Sequence, residues 1–202
     1  MTIRVDFSLI SSWIAPGSRV LDLGCGQGSL LRRLADTKDC RIQGVEMDPD
    51  SFLEAVGNGV PVIEMNIDKE LDLFCDDSYD VVILSRTLQA VRRPETVLKH
   101  MVRIAPTIIV SMPNFAYWRN RMGLMSGHAP VSKDLPYSWH DSPNVHFGSV
   151  SDLETLFSQL SLSVVKCVPL SATGRVSKMP FASRNLSAGA VLYQLRNDTS
   201  LR

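Results

Sequence analysis

Val20-Leu21-Asp22-Leu23-Gly24-Cys25-Gly26-Gln27-Gly28 is the stretch on which the reading of this chain turns. An apolar run ends in an acid, passes through glycines at alternate positions, and enters a periodic apolar segment with Leu30, Leu31, Leu34 and Ala35. The period changes from strand-like to helix-like across the glycines, which predicts strand, tight turn, helix. Glycine in such a turn allows positive φ and close approach of a ligand to the backbone.

The acid narrows the choice of ligand. Dinucleotide sites hold a pyrophosphate at the helix N-terminus with a G-x-G-x-x-G turn. Here the third glycine comes one residue early, and Ser29 stands where the last one would be. Asp22, just before the turn, would repel a phosphate and attract a cation. S-adenosylmethionine carries a sulfonium and an ammonium and no phosphate. One such charge pair a few ångströms apart contributes about 1–4 kcal/mol, depending on the local dielectric. The loop therefore reads as a site for S-adenosylmethionine, the alternative being a bare glycine turn between strand and helix.

Composition sets the bounds. With 202 residues the chain is long enough for one domain, 1–202, with a sizeable core. Lys plus Arg equals Asp plus Glu, 21 each, so no global basic field draws nucleic acid. Cys25, Cys40, Cys75 and Cys167 form no C-x-x-C pair and have no His at metal-ligand spacing, so no metal site is expected. Cysteines inside apolar segments behave as small hydrophobes and fit a reduced, cytoplasmic setting. No basic leader followed by an apolar stretch opens the chain, and no apolar run reaches membrane-spanning length.

Outward from the glycine loop the elements alternate. Asp6 to Ile14 carries Leu9, Ile10, Trp13 and Ile14 on one helical face and stops at Pro16-Gly17. Arg41 to Glu46 is a second strand ending in an acid, 24 residues past Asp22, and Glu46 can accept both ribose hydroxyls of an adenosyl group. Asp48, before Pro49, reads as the cap of a helix over Asp50 to Val56. Val60 to Met65 is a third strand whose Pro61 suggests a sheet edge. Asn66 or Asp68, with the next backbone N–H, that of Ile67 in the first case, can read the adenine edge. Tyr79 to Ser85 is continuously β-rich, as expected of a strand covered on both faces. Pro94 to Ile104 is a helix, and Thr107 to Ser111 a fifth strand.

The alternation breaks between Pro113 and Gly148, where six aromatics are interleaved with Arg119, Arg121, His140 and His146. Connections of this length inside a compact domain are usually functional, so the segment reads as a lid or an interface, with a helix near Trp118 to Met125. The alternative is an aromatic cluster that covers the sheet edge. Then come a capping box at Ser151-Asp152-Leu153-Glu154 with its helix, a strand over Leu162 to Leu170, and a polar loop over Ser171 to Arg184. A strand over Ala188 to Leu195 and a tail over Asn197 to Arg202 follow. Two late strands without a long helix between them imply an antiparallel hairpin. The expected fold is α/β, a doubly wound, mostly parallel seven-stranded sheet with an antiparallel C-terminal strand.

This architecture and loop resemble the class I S-adenosylmethionine-dependent methyltransferases, which have a Rossmann-like fold. A narrower resemblance rests on Ser78 to Pro94, with Thr87-Leu88-Gln89 inside it, on Pro113-Asn114-Phe115 with Trp118-Arg119, and on Leu135-Pro136-Tyr137, Trp139, Asp141, Pro143-Asn144 and His146. In these the chain resembles the methionine biosynthesis family MetW over nearly its whole length. The resemblance implies a role in methionine biosynthesis beside a homoserine O-acyltransferase partner. It departs from the usual pattern at Met65-Asn66, where related sequences carry Gly-Asp. An asparagine still bonds the adenine amino group through its carbonyl, so binding is weakened there and not abolished.

The candidate cofactor set is Asp22, Gly24, Cys25 and Gly26 on the loop, Glu46 and Met47 after the second strand, Asn66 and Ile67 after the third, and Ser85 after the fourth. No catalytic residue is assigned. An alternative to the supporting role is an S-adenosylmethionine-dependent small-molecule methyltransferase, with His146, His140 or Tyr137 as candidate bases. The chain has no Asn-Pro-Pro-Tyr run for planar exocyclic nitrogens, and no Ser or Cys in a nucleophile elbow, so acyl chemistry would belong to the partner.

Overall fold

The structure, a computed structural model, describes residues 5–132, 135–171, 175–177 and 183–197, with Val5 as backbone only. Most of the expected polar loop over 171–184 and all but Asn197 of the expected tail lie outside the described residues. The strands are β1 (Arg19–Leu23), β2 (Arg41–Glu46), β3 (Val62–Glu64), β4 (Val81–Ser85), β5 (Thr107–Pro113), β6 (Leu162–Leu170) and β7 (Ala190–Asn197). The helices are α1 (Val5–Trp13), α2 (Ser29–Lys38), α3 (Pro49–Gly57), α4 (Pro94–Ile104), α5 (Trp118–Met125), α6 (Val150–Gln159) and the short α7 (Arg184–Ser187).

One seven-stranded sheet runs in the order β3-β2-β1-β4-β5-β7-β6. The first five strands in that order are parallel; β7 is antiparallel to β5, and β6 antiparallel to β7. β3 is an edge strand, as Pro61 suggested, though shorter than expected. Alternation along buried strands builds two cores. Leu21, Leu23, Val82 and Leu84 meet α4 and α6 through Leu98, Met101 and Phe157 on one face. Val20, Val81, Ile83 and Ile109 meet Ile10 of α1 and Leu30, Leu31 and Leu34 of α2 on the other. Each fully buried side chain of this size contributes about 1.5–3 kcal/mol, which fixes the register of the strands that carry the site.

Local signals set most boundaries. Asp48 caps α3, accepting from the Ser51 N–H at 2.9 Å, with Pro49 in the first turn. The capping box of α6 is a correction: it uses Ser149 and Asp152, not Ser151 and Glu154. Glu154 lies one turn further on, where it accepts from Tyr193 Oη at 3.0 Å and pairs with Arg184. That cluster joins α6 to α7 and β7, and burial pushes the Tyr193 hydroxyl far above its ordinary value, helped by Cys167 and Glu154.

Candidate functional site

The site is built where strand order reverses. From β1 the sheet continues through β2 on one side and β4 on the other, so the carboxyl ends of these strands open a crevice. Asp22 pairs in register with Gly44 and Ile83, and strand alternation puts its side chain on the α1–α2 face, with Val20. It is 3% exposed. Glu46, at the end of β2, takes three backbone hydrogen bonds. Oε2 accepts from Gly26 N–H at 2.8 Å, while Oε1 accepts from Met47 N–H at 2.8 Å and Asp48 N–H at 2.9 Å. One carboxylate thus ties the glycine loop to the β2–α3 turn.

Two glycines in the loop do separate jobs. Gly24 has φ +73°, and a Cβ there would lie 2.7 Å from Thr87 Oγ1, so the loop packs directly on the segment after β4. Gly26 has φ +54°, and a Cβ there would meet nothing within 4 Å. Its missing side chain leaves open space beside the two acids, the kind of cradle a ligand would fill.

Two cavities meet at Gly24. One, of about 140 Å³, is lined by Glu46, Met47, Asn66, Ile67, Thr87 and Val91, among others. The other, of about 320 Å³, is lined by Phe7, Asp22, Cys25, Gly26, Ser29 and Ser85, among others. The structure therefore brings all nine candidate residues to the same crevice. Asn66 and Asp68 both line the smaller cavity and differ in their hydrogen bonds. The Asp68 carboxylate accepts from the backbone N–H groups of Arg92 and Arg93 at 2.9–3.1 Å and holds the turn into α4. Asn66 Oδ1 accepts from the Asp68 N–H at 2.9 Å and keeps a second lone pair.

Ser85 Oγ lies 3.0 Å from Ser111 Oγ, which also accepts from the Arg86 N–H. Arg86 has φ +59° and reaches Asp6 on α1 at 3.5 Å. Sequence reasoning missed Phe7 as a wall of the crevice. Phe7 stands three residues before Ile10 and shares its helical face, a signal that was available. Thr87 falls in the stretch just after the fourth strand, Ser85 to Gln89, that the sequence places at the mouth of the site, and it lines the smaller cavity.

The candidate bases lie elsewhere. His140, His146 and Tyr137 line neither cavity, and His140 pairs with its neighbour Asp141 at 3.2 Å. Burial pushes the half-buried Cys25 thiol from 9.0 up to about 12, helped by the charges of Asp22 and Glu46, which disfavours the reactive thiolate. The folded value lies above the unfolded one. This group's contribution to stability is therefore whole below pH 9 and is lost as pH rises toward 12. Iodoacetamide at pH 9 is expected to label exposed Cys75 while leaving Cys25 unmodified, read residue by residue by mass spectrometry. Equal labelling rates would show that Cys25 is neither buried nor flanked by the two acids.

Among the described residues no group of His, Cys, Asp and Glu could hold a metal ion, and no helix is long and apolar enough to cross a membrane.

The family model described as methionine biosynthesis protein MetW matches residues 4–195. The bifunctional methionine biosynthesis protein MetXA/MetW of Rhodopirellula baltica is 36% identical over 174 residues, covering 81% of this chain. This chain spans only 28% of that relative's length. A crystal structure of an S-adenosylmethionine-dependent methyltransferase from Thermotoga maritima, a possible histamine N-methyltransferase, superposes with a TM-score of 0.69 at 18% identity. That match covers 96% of this chain and 89% of the other. Magnesium protoporphyrin IX methyltransferase from Synechocystis, with S-adenosylhomocysteine bound, superposes with a TM-score of 0.68 at 15% identity, covering 96% and 83%. The fold is that of the class I methyltransferases.

Proposed function

We propose, for a chain that belongs to the family of the methionine biosynthesis protein MetW, that its crevice binds S-adenosylmethionine and that it supports a homoserine O-acyltransferase. The observation that carries the ligand is the open space at Gly26, in the cavity that buried Asp22 also lines and one hydrogen bond from the Glu46 carboxylate. The residues fit this ligand. Asp22 would face the cationic end. Glu46 Oε2, with one lone pair in use, would accept from the ribose. Met47 would pack on the nucleoside, and Asn66 and Ile67 would meet the adenine edge. Gly24, Cys25, Gly26 and Ser85 would shape the space between. The bound group would supply an activated methyl or a signal of methionine supply. The chain's own residues bind it, orient it and exclude phosphate-bearing nucleotides.

The partner half rests on the Rhodopirellula baltica relative, in which MetXA and MetW share one polypeptide. We read its MetXA part as the acyltransferase that the resemblance implies. Ligand binding would stabilise the folded state by mass action and would be felt at the segment 87–91, which walls the crevice.

Isothermal titration tests the ligand. S-adenosylmethionine and S-adenosylhomocysteine are expected to bind and NAD to give no heat. Binding of NAD in preference would overturn the assignment. Acyltransferase turnover with and without this chain tests the partner: a rise is expected, and unchanged turnover would overturn that half. Methyl-labelled S-adenosylmethionine added to extract is expected to yield no labelled product. A labelled small molecule would instead establish methyl transfer.

A further inference from the structure

The crevice leaves one large feature unused. Between β5 and α6 the insertion carries a cavity of about 270 Å³ lined by Phe115, Leu124, Leu135, Tyr137, Trp139 and Phe147, among others. Large apolar side chains in contact with it stay open to solvent: Trp139 is 80% exposed, Phe147 59% and Leu124 50%. Met125 at the end of α5 is 81% exposed, and Trp118 at its start carries Arg119 over its ring at 5.2 Å. Leu53 on α3, also exposed, lies outside the lining of this cavity. Trp, Tyr, Met and Arg around a concave apolar centre are the composition of an interface hot spot.

Hydrogen bonds close the insertion on itself and tie it to the α7–β7 junction and to the segment after β4. Phe115 N–H donates to the Gly148 carbonyl, and Asn114 Nδ2 donates to the carbonyls of Asn185 and Ala188. The N–H groups of Val145 and His146 both donate to the Gln89 carbonyl at 3.0 Å. Gln89 lies between Thr87 and Ala90, which line the nucleoside side of the crevice. The same short segment is thus a wall of the ligand site and a seat of the exposed aromatic face.

We infer that this face, centred on Trp139 and the cavity that the paired rings of Phe115 and Phe147 line, is the surface on which the homoserine acyltransferase docks. The inference rests on the partner reading above and adds the surface to it. The occupant is chosen by the fused relative. A polypeptide that carries MetXA and a MetW part together raises their mutual effective concentration, so a compatible face between the two is what such a fusion would exploit. Val145 and His146, which bond Gln89, stand in the chain between Asn144 and Phe147 of this cavity, so the face and the crevice share that connection.

The test uses the full chain and the acyltransferase encoded in the same genome, with affinity read by surface plasmon resonance. Trp139→Ala and Tyr137→Ala are expected to weaken the complex by about tenfold or more each. Leu53→Ala, an exposed apolar residue on α3, is expected to leave it unchanged. S-adenosylmethionine titration and thermal melting of each variant are expected to match the wild type, which separates lost docking from lost folding. Wild-type affinity in both insertion variants would overturn the surface while leaving the partner. Absence of any complex with the wild-type chain would overturn the partner reading, and this occupant with it. A wild-type dimer in sedimentation that Trp139→Ala turns into monomer would assign the face to a second copy of this chain and overturn the inference.

Discussion

Glu46→Ala is expected to weaken S-adenosylmethionine binding by about 2–3 kcal/mol, or roughly 30- to 150-fold, in isothermal titration. Two losses combine. The ribose would lose a charged acceptor, and the Gly26 N–H would lose the carboxylate that holds the loop at 2.8 Å. The backbone N–H groups of Met47 and Asp48 lose their acceptor as well, so the β2–α3 turn loosens with the loop. Asp22→Ala is expected to cost about 1–3 kcal/mol, because it removes one charge contact with the cationic ligand. Glu46→Gln separates the two contributions. It keeps an acceptor oxygen for part of the backbone but loses the charge, so its affinity is expected between wild type and alanine. Wild-type affinity in both Glu46→Ala and Asp22→Ala would remove the ligand from this crevice.

Phe157→Ala carries the largest expected effect on stability, about 3–5 kcal/mol in urea unfolding. Phe157 is 1% exposed and packs edge-on to Tyr193, with ring centroids 5.1 Å apart. It joins α6 to β7, and so holds the strand that completes the sheet. The cavity left cannot close easily, because the facing strand is fixed between two neighbours. Phe157 belongs to the α4–α6 core, on the face of the sheet opposite Asp22. Ligand affinity of the folded variant is therefore expected to stay close to wild type. A change in unfolding midpoint worth less than 1 kcal/mol would mean that α6 is not packed as described.

What was legible in the chain follows from the range of the interactions involved. The run Val81 to Leu84 announced a central strand because both its faces are buried, and both are. The acids at Asp22 and Glu46 could be placed because a strand that ends in a turn delivers its last side chain to the sheet's carboxyl edge. The capping box was misplaced by two residues for a physical reason. Ser149 and Ser151 both stand three residues before an acid. The choice was made by Arg184 and Tyr193, which draw Glu154 away from far along the chain. Asp68 was equally ambiguous until the turn at Arg92 and Arg93 took up its carboxylate. Local spacing carries no record of such partners. The order of strands was legible only in outline, since the entry of β7 between β5 and β6 is decided by pairing across most of the chain.

That entry has a kinetic consequence. β5 ends at Pro113, and its partner strand begins at Ala190, so this edge of the sheet stays open while the ribosome makes the intervening residues. Contacts of such sequence separation form late. Until then Ile108 to Met112 offers an apolar ribbon unpaired on its β7 side, an edge open to wrong pairing in the nascent polypeptide.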